Sequence, residues 1–66
     1  MMNHVRVRRR EINMTQQKLA DAIKVSRQTI SLIEKGEYNP SLKLCIALCI
    51  ELDQTLDELF WLEEEF

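Results

Sequence analysis

Four times along this 66-residue chain a hydroxyl residue stands directly ahead of a short stretch with helical apolar spacing. Thr15 precedes QQKLADAI, Ser26 precedes RQTISLIEK, Ser41 precedes LKLCIALCIEL and Thr55 precedes LDELF. A Ser or Thr oxygen at that place accepts a hydrogen bond from an orphan amide of the first helical turn, worth roughly 1 kcal/mol. The spacing predicts helices over 16–23, 27–35, 42–52 and 56–60, preceded by a basic helix from about His4 to Ile12 that sets Val5, Arg9 and Ile12 on one side. Gly36 stops the third helix. Pro40 pushes Asn39 out of the helical region and makes a turn. The reading is all-α, with one domain over residues 1–66. One Gly and one Pro leave neither a glycine-rich phosphate loop nor a linker, and the length excludes a dinucleotide fold or a barrel.

A chain this short buries only about 60% of its unfolded surface, so its core is marginal without a disulfide, a metal or a second subunit. Cys45 and Cys49 are four apart on one helix face and close no loop. A zinc site needs four ligands, and His4 is the one other candidate. They read as reduced, buried small hydrophobes, with no metal and no cofactor, and a cytoplasmic location is expected. The opening MMNHVRVRRR lacks the apolar core of a signal peptide. The longest apolar run, Leu44–Ile50, is too short to cross a bilayer.

Charge divides the chain. Residues 1–35 carry eight Lys or Arg against three acids, whereas residues 36–66 carry one Lys against eight acids. The net charge of −2 therefore hides a basic half that suits a polyanion. On the third helix, at about 100° per residue, Ile30 and Ile33 share one arc while Arg27, Gln28, Ser31 and Lys35 occupy the opposite one. The apolar arc can pack on Leu19, Ala20 and Ile23, and the small Ala20 permits a close helix crossing. What remains is an outward polar ridge. Arg matches the O6/N7 acceptors of guanine and Gln the N6/N7 edge of adenine, each worth roughly 1–3 kcal/mol of discrimination.

The stretches Met14-Thr15-Gln16-Gln17-Lys18-Leu19-Ala20, Val25-Ser26-Arg27-Gln28-Thr29-Ile30, Ile33-Glu34-Lys35-Gly36 and Asn39-Pro40-Ser41-Leu42 resemble the Cro/cI-type (Xre-like) helix-turn-helix family. The likeness runs from about His4 to Trp61 and is strongest to small dimeric repressors of the cytolysin-repressor type. It implies a five-helix, lambda-repressor-like DNA-binding domain with the helix-turn-helix at about 16–35. A short two-stranded sheet formed by the termini is also implied. The function implied is a sequence-specific transcriptional regulator, a repressor, binding a near-palindromic operator as a homodimer with the helix 27–35 in the major groove.

Carried over position by position, the resemblance assigns base reading to Arg27, Gln28, Ser31 and Leu32, the last through a thymine methyl. Phosphate contacts fall to Thr15, Gln16, Thr29, Lys35, Tyr38, Asn39 and Lys43. Gln16 also braces the first side chain of the reading helix. Arg9 and Glu34 match a structural ion pair. Three departures stand out. Lys24 occupies the place of the usual inter-helix Gly, where a left-handed backbone would cost on the order of 1 kcal/mol. Arg8 stands at a usually apolar position and must snorkel or lie at the domain edge. Ala47 and Ile50 replace more usual charge on the fourth helix, whose core is expected from Leu42, Leu44, Cys45, Ile46, Leu48, Cys49 and Leu52.

Apolar residues nearly all around that helix call for a second burial surface. With the C-terminal segment at about 55–62, the candidate dimer interface is Ile50, Leu56, Leu59, Phe60, Trp61 and Leu62. Phe60 and Trp61 could instead fold back on their own core. The rival reading is an antitoxin-like protein-interaction module on the same scaffold, acting through the acidic, aromatic C-terminal end. No catalytic constellation is present in the sequence, so an enzyme is not expected, and double-stranded DNA is the expected partner with no membrane and no small-molecule ligand.

Overall fold

All four hydroxyl caps close the helix they precede. The computed structural model describes residues 2–61. Its elements are β1 (Met2–Asn3), α1 (Val5–Glu11), α2 (Gln16–Ile23), α3 (Arg27–Glu34), α4 (Leu42–Leu52), α5 (Leu56–Leu59) and β2 (Phe60–Trp61). The Lys18 amide donates to Thr15 Oγ1 at 3.0 Å, Thr29 to Ser26 Oγ at 3.1 Å and Leu44 to Ser41 Oγ at 3.2 Å. At α5 the cap is reciprocal: the Glu58 amide donates to Thr55 Oγ1 and the Thr55 amide to Glu58 Oε1. That second bond matters because four residues make a helix too short to stand by propensity alone.

β1 and β2 pair antiparallel, Met2 opposite Trp61 and Asn3 opposite Phe60. The fold is therefore five helices with the two ends of the described chain zipped into a small sheet. Asn3 does more than pair. Its Nδ2 donates to the Ile33 carbonyl at 2.8 Å, and its Oδ1 accepts the Val5 amide at 3.1 Å. One side chain thus fixes the entry to α1 and adds a second donor to the Ile33 carbonyl at the end of α3, which also accepts the Gly36 amide.

The core is one cluster drawn from every helix: Val5, Leu19, Ala20, Ile30, Ile33, Cys45, Leu48, Cys49, Leu52, Leu59 and Phe60. Ile12, Ile23 and Leu44 pack against it half-buried. Two expected core residues are not in it. Leu42 and Ile46 lie on the open side of α4 with Ile50. The reason is geometric: residues four apart drift by only about 40° around a helix, so 42, 46 and 50 form one stripe beside the inward one made by 45, 48, 49 and 52. A helix can turn only one stripe to a single core. Burial pushes both the Cys45 and Cys49 thiols up from their ordinary value, as expected of inert packing residues.

Backbone strain concentrates at the joints. Lys24 takes the left-handed conformation at φ 61°, ending α2, and its amide donates to Asp21 O while the Val25 amide donates to Ala20 O. Asn13 and Asp53 are also left-handed, but these types tolerate the region through local side-chain hydrogen bonding. Arg8 resolves its awkward position by donating Nε to the Leu52 carbonyl at 2.8 Å. It thereby places a cation at the C-terminal end of α4, where the helix dipole favours one. No helix among the described residues is long and apolar enough to cross a membrane.

Candidate nucleic-acid interface

α2 and α3 are joined by Lys24, Val25 and Ser26, and the left-handed Lys24 makes the sharp turn between them. Ile30 and Ile33 of α3 are fully buried against Leu19 and Ala20 of α2. That orientation leaves Arg27 and Gln28 exposed at the N-terminal end of α3, with Ser31 and Leu32 half-buried one turn on.

Behind this face lies a continuous polar relay. Arg9 donates Nε to Glu34 Oε2 at 2.7 Å and Nη2 to Glu34 Oε1 at 3.3 Å, and its Nη1 donates to the Met14 carbonyl at 2.8 Å. The two side chains are 10% and 4% exposed. A buried charge pair holds only when its remaining donors and lone pairs are satisfied, and here they are. Glu34 Oε1 also accepts Nε2 of Gln16 at 3.0 Å. Gln16 in turn accepts Nη1 of Arg27 through its Oε1 at 3.3 Å. The chain Arg9–Glu34–Gln16–Arg27 links α1, α3 and α2, and it ends on an exposed guanidinium.

An open cleft runs along this face. Thr15, Gln16, Arg27, Ser31 and Lys35 line it, together with the Arg9–Glu34 pair. Gln28 and Leu32 lie on α3 outside its lining, and Thr29 is half-buried with its hydroxyl 2.9 Å from that of Ser26. Tyr38 and Asn39 are exposed on the α3–α4 connection and Lys43 on the first turn of α4, and none of the three lines the cleft. Arg6, Arg10 and Gln17 line the cleft but were not singled out by sequence. The signal was present in the arginine run of the first helix; its facing was not. Of the expected dimer residues, Ile50 and Leu56 are exposed, whereas Leu59 and Phe60 are buried in the chain's own core. Trp61 is half-buried, its ring edge against His4 with centroids 4.4 Å apart. Leu62 lies outside the described residues.

A short helix pair with a buried apolar seam, a strained turn and an outward polar second helix defines the helix-turn-helix class. The family model for helix-turn-helix proteins HTH_3 matches residues 5–59. An uncharacterized HTH-type transcriptional regulator of Bacillus subtilis, YgzD, is 42% identical over 65 residues, covering 98% of both chains. Among solved structures, the restriction-modification controller protein C.AhdI from Aeromonas hydrophila superposes with a TM-score of 0.78 at 30% identity, covering 85% of each chain. The clp gene regulator ClgR from Corynebacterium glutamicum gives 0.76 at 28% identity over 80% of this chain, which spans 56% of ClgR. The chain belongs to the Cro/cI-type, Xre-like helix-turn-helix family of transcriptional regulators. Membership implies binding of DNA.

Proposed function

We propose that this protein is a sequence-specific repressor that binds a near-palindromic operator as a homodimer, with α3 in the major groove of each half-site. The observation that carries the reading is Arg27, held from behind by Gln16 on a buried ion pair and exposed at its tip beside Gln28. A guanidinium with limited rotational freedom loses less entropy when it engages the paired acceptors of guanine. Gln28 takes an adenine edge, Ser31 a further base edge and Leu32 a thymine methyl. Thr15, Gln16, Thr29, Lys35, Tyr38, Asn39 and Lys43 hold the flanking phosphates, aided by the amides opening α2.

A homodimer is supported by the open stripe of Leu42, Ile46 and Ile50, joined by Leu56, which are 67%, 43%, 74% and 42% exposed. A monomer of this size does not ordinarily leave such a patch in water. A dimer reading half-sites one turn of duplex apart must set its two α3 helices about 34 Å from each other. The test is selection of bound duplexes from a random pool, followed by binding of Arg27→Ala and Gln28→Ala. Both variants are expected to lose preference for the selected sequence, while Lys35→Ala weakens all duplexes alike. Unchanged preference in both reading-face variants overturns the assignment.

A further inference from the structure

α1 carries four arginines, and the structure puts them to two different uses. Arg8 is committed to the Leu52 carbonyl, 3.7 Å from Glu11, and Arg9 is committed to Glu34. Arg6 and Arg10 are exposed, and among the described residues neither lies within ion-pair distance of a carboxylate. They stand four apart, so they share one face of α1 about 40° wide. That face borders the same cleft as Arg27 and Lys35. Among the described residues Glu34 is the one acid lining the cleft, and Arg9 already neutralises it. The cleft therefore has two cationic walls, one from α3 and one from α1, with no free negative charge between them among the described residues.

We propose that Arg6 and Arg10 grip the phosphodiester backbone of duplex DNA outside the bases read by α3, making α1 a second clamp on the strand that enters the cleft. The proposal rests on the DNA-binding reading above and extends its footprint. A backbone with evenly spaced charges fits two guanidiniums one helical turn apart, each able to engage phosphate oxygens with two donors. Such contacts carry no sequence information, so they strengthen binding to every duplex and steepen its salt dependence.

The experiment measures affinity against salt for a random-sequence duplex and for a duplex selected by the wild-type protein, using the R6Q/R10Q double variant. The plot of log affinity against log salt is expected to become shallower by up to about 1.8 per bound protomer, about 3.6 for a dimer, for both duplexes, since each lost phosphate contact removes about 0.9. The ratio of selected to random affinity stays at the wild-type value, and R6K/R10K restores most of the slope. The single variants each show about half the change, which guards against a double variant that fails to fold. A wild-type slope in R6Q/R10Q overturns the clamp. So does a loss confined to the selected duplex, which would make the pair base readers. Stoichiometric binding of tripolyphosphate that the double variant abolishes, with the duplex slope unchanged, also overturns it. Equal wild-type affinity for both duplexes would instead defeat base reading by α3 and leave the slope to decide the clamp by itself.

Discussion

Arg9 and Glu34, 25 residues apart in sequence, meet as a buried ion pair with Nε 2.7 Å from Oε2, and through it α1 is bolted to the end of α3. The same carboxylate anchors Gln16, so a contact that stabilises the fold also sets the position of the reading helix and its first side chain.

Removing one partner of this pair strands the other charge without solvent. Arg9→Met is expected to destabilise by about 3–5 kcal/mol. Stability for a domain of this length is of the order of 3–10 kcal/mol, so the single variant loses a large fraction of it and unfolds outright only if the wild type lies near the lower end. Arg9→Met combined with Glu34→Leu should recover most of the loss, because no orphan charge remains. Urea unfolding of the single and double variants measures both.

Lys24 pays for its left-handed turn with steric strain that glycine avoids. Lys24→Gly is expected to raise stability by up to about 1 kcal/mol, equivalent to about 4–8 °C in Tm for a domain this small. Lys24→Val, branched at Cβ, should lower it by at least as much. Thermal unfolding followed by circular dichroism separates the two directions. A lower Tm for Lys24→Gly would mean the strain is absent.

The cap of α5 is sensitive to acid. Hydrogen bonds from the Thr55 backbone and side chain hold the Glu58 carboxyl below its ordinary value. A group lowered on folding contributes stability that is complete above its unfolded value, about 4.3, and lost as pH falls through the folded one. Stability should therefore decline below about pH 4.3 by an increment that Glu58→Gln lacks. Urea midpoints between about pH 3 and 6 for the two proteins test this window, and parallel curves would remove Glu58 from the account.

The open α4 stripe gives a prediction that leaves the core untouched. Ile46→Lys with Ile50→Lys places two like charges at exposed positions, where substitution costs the monomer little. Sedimentation is expected to show a dimer for the wild type and a monomer for the variant, with unchanged helical content. A wild-type monomer at micromolar concentration ends the dimer proposal.

The helices themselves were legible because their causes are local. Thr15, Ser26, Ser41 and Thr55 act within three residues of where they stand, and apolar spacing marks the inward face of α3 without reference to any other element. The outward position of Arg27 and Gln28 follows from the burial of Ile30 and Ile33 on the same short helix. Apolar composition alone did not show which stripe of α4 stays open. Leu42, Ile46 and Leu48 are equally greasy, and only packing against α1, α2 and α5 selects among them.

The amino-acid order by itself determined five helices, their boundaries to within a residue or so and a polar ridge on the third, since caps and periodicity act over a single turn. Tertiary structure alone decided that Asn3 would fasten β1 to α3, that Arg8 would close the end of α4, and that Leu59 and Phe60 would be spent in the core. It also turned Arg6 and Arg10 toward the cleft. These depend on how whole helices are rotated and set against one another, and that is fixed by summed contacts between distant residues.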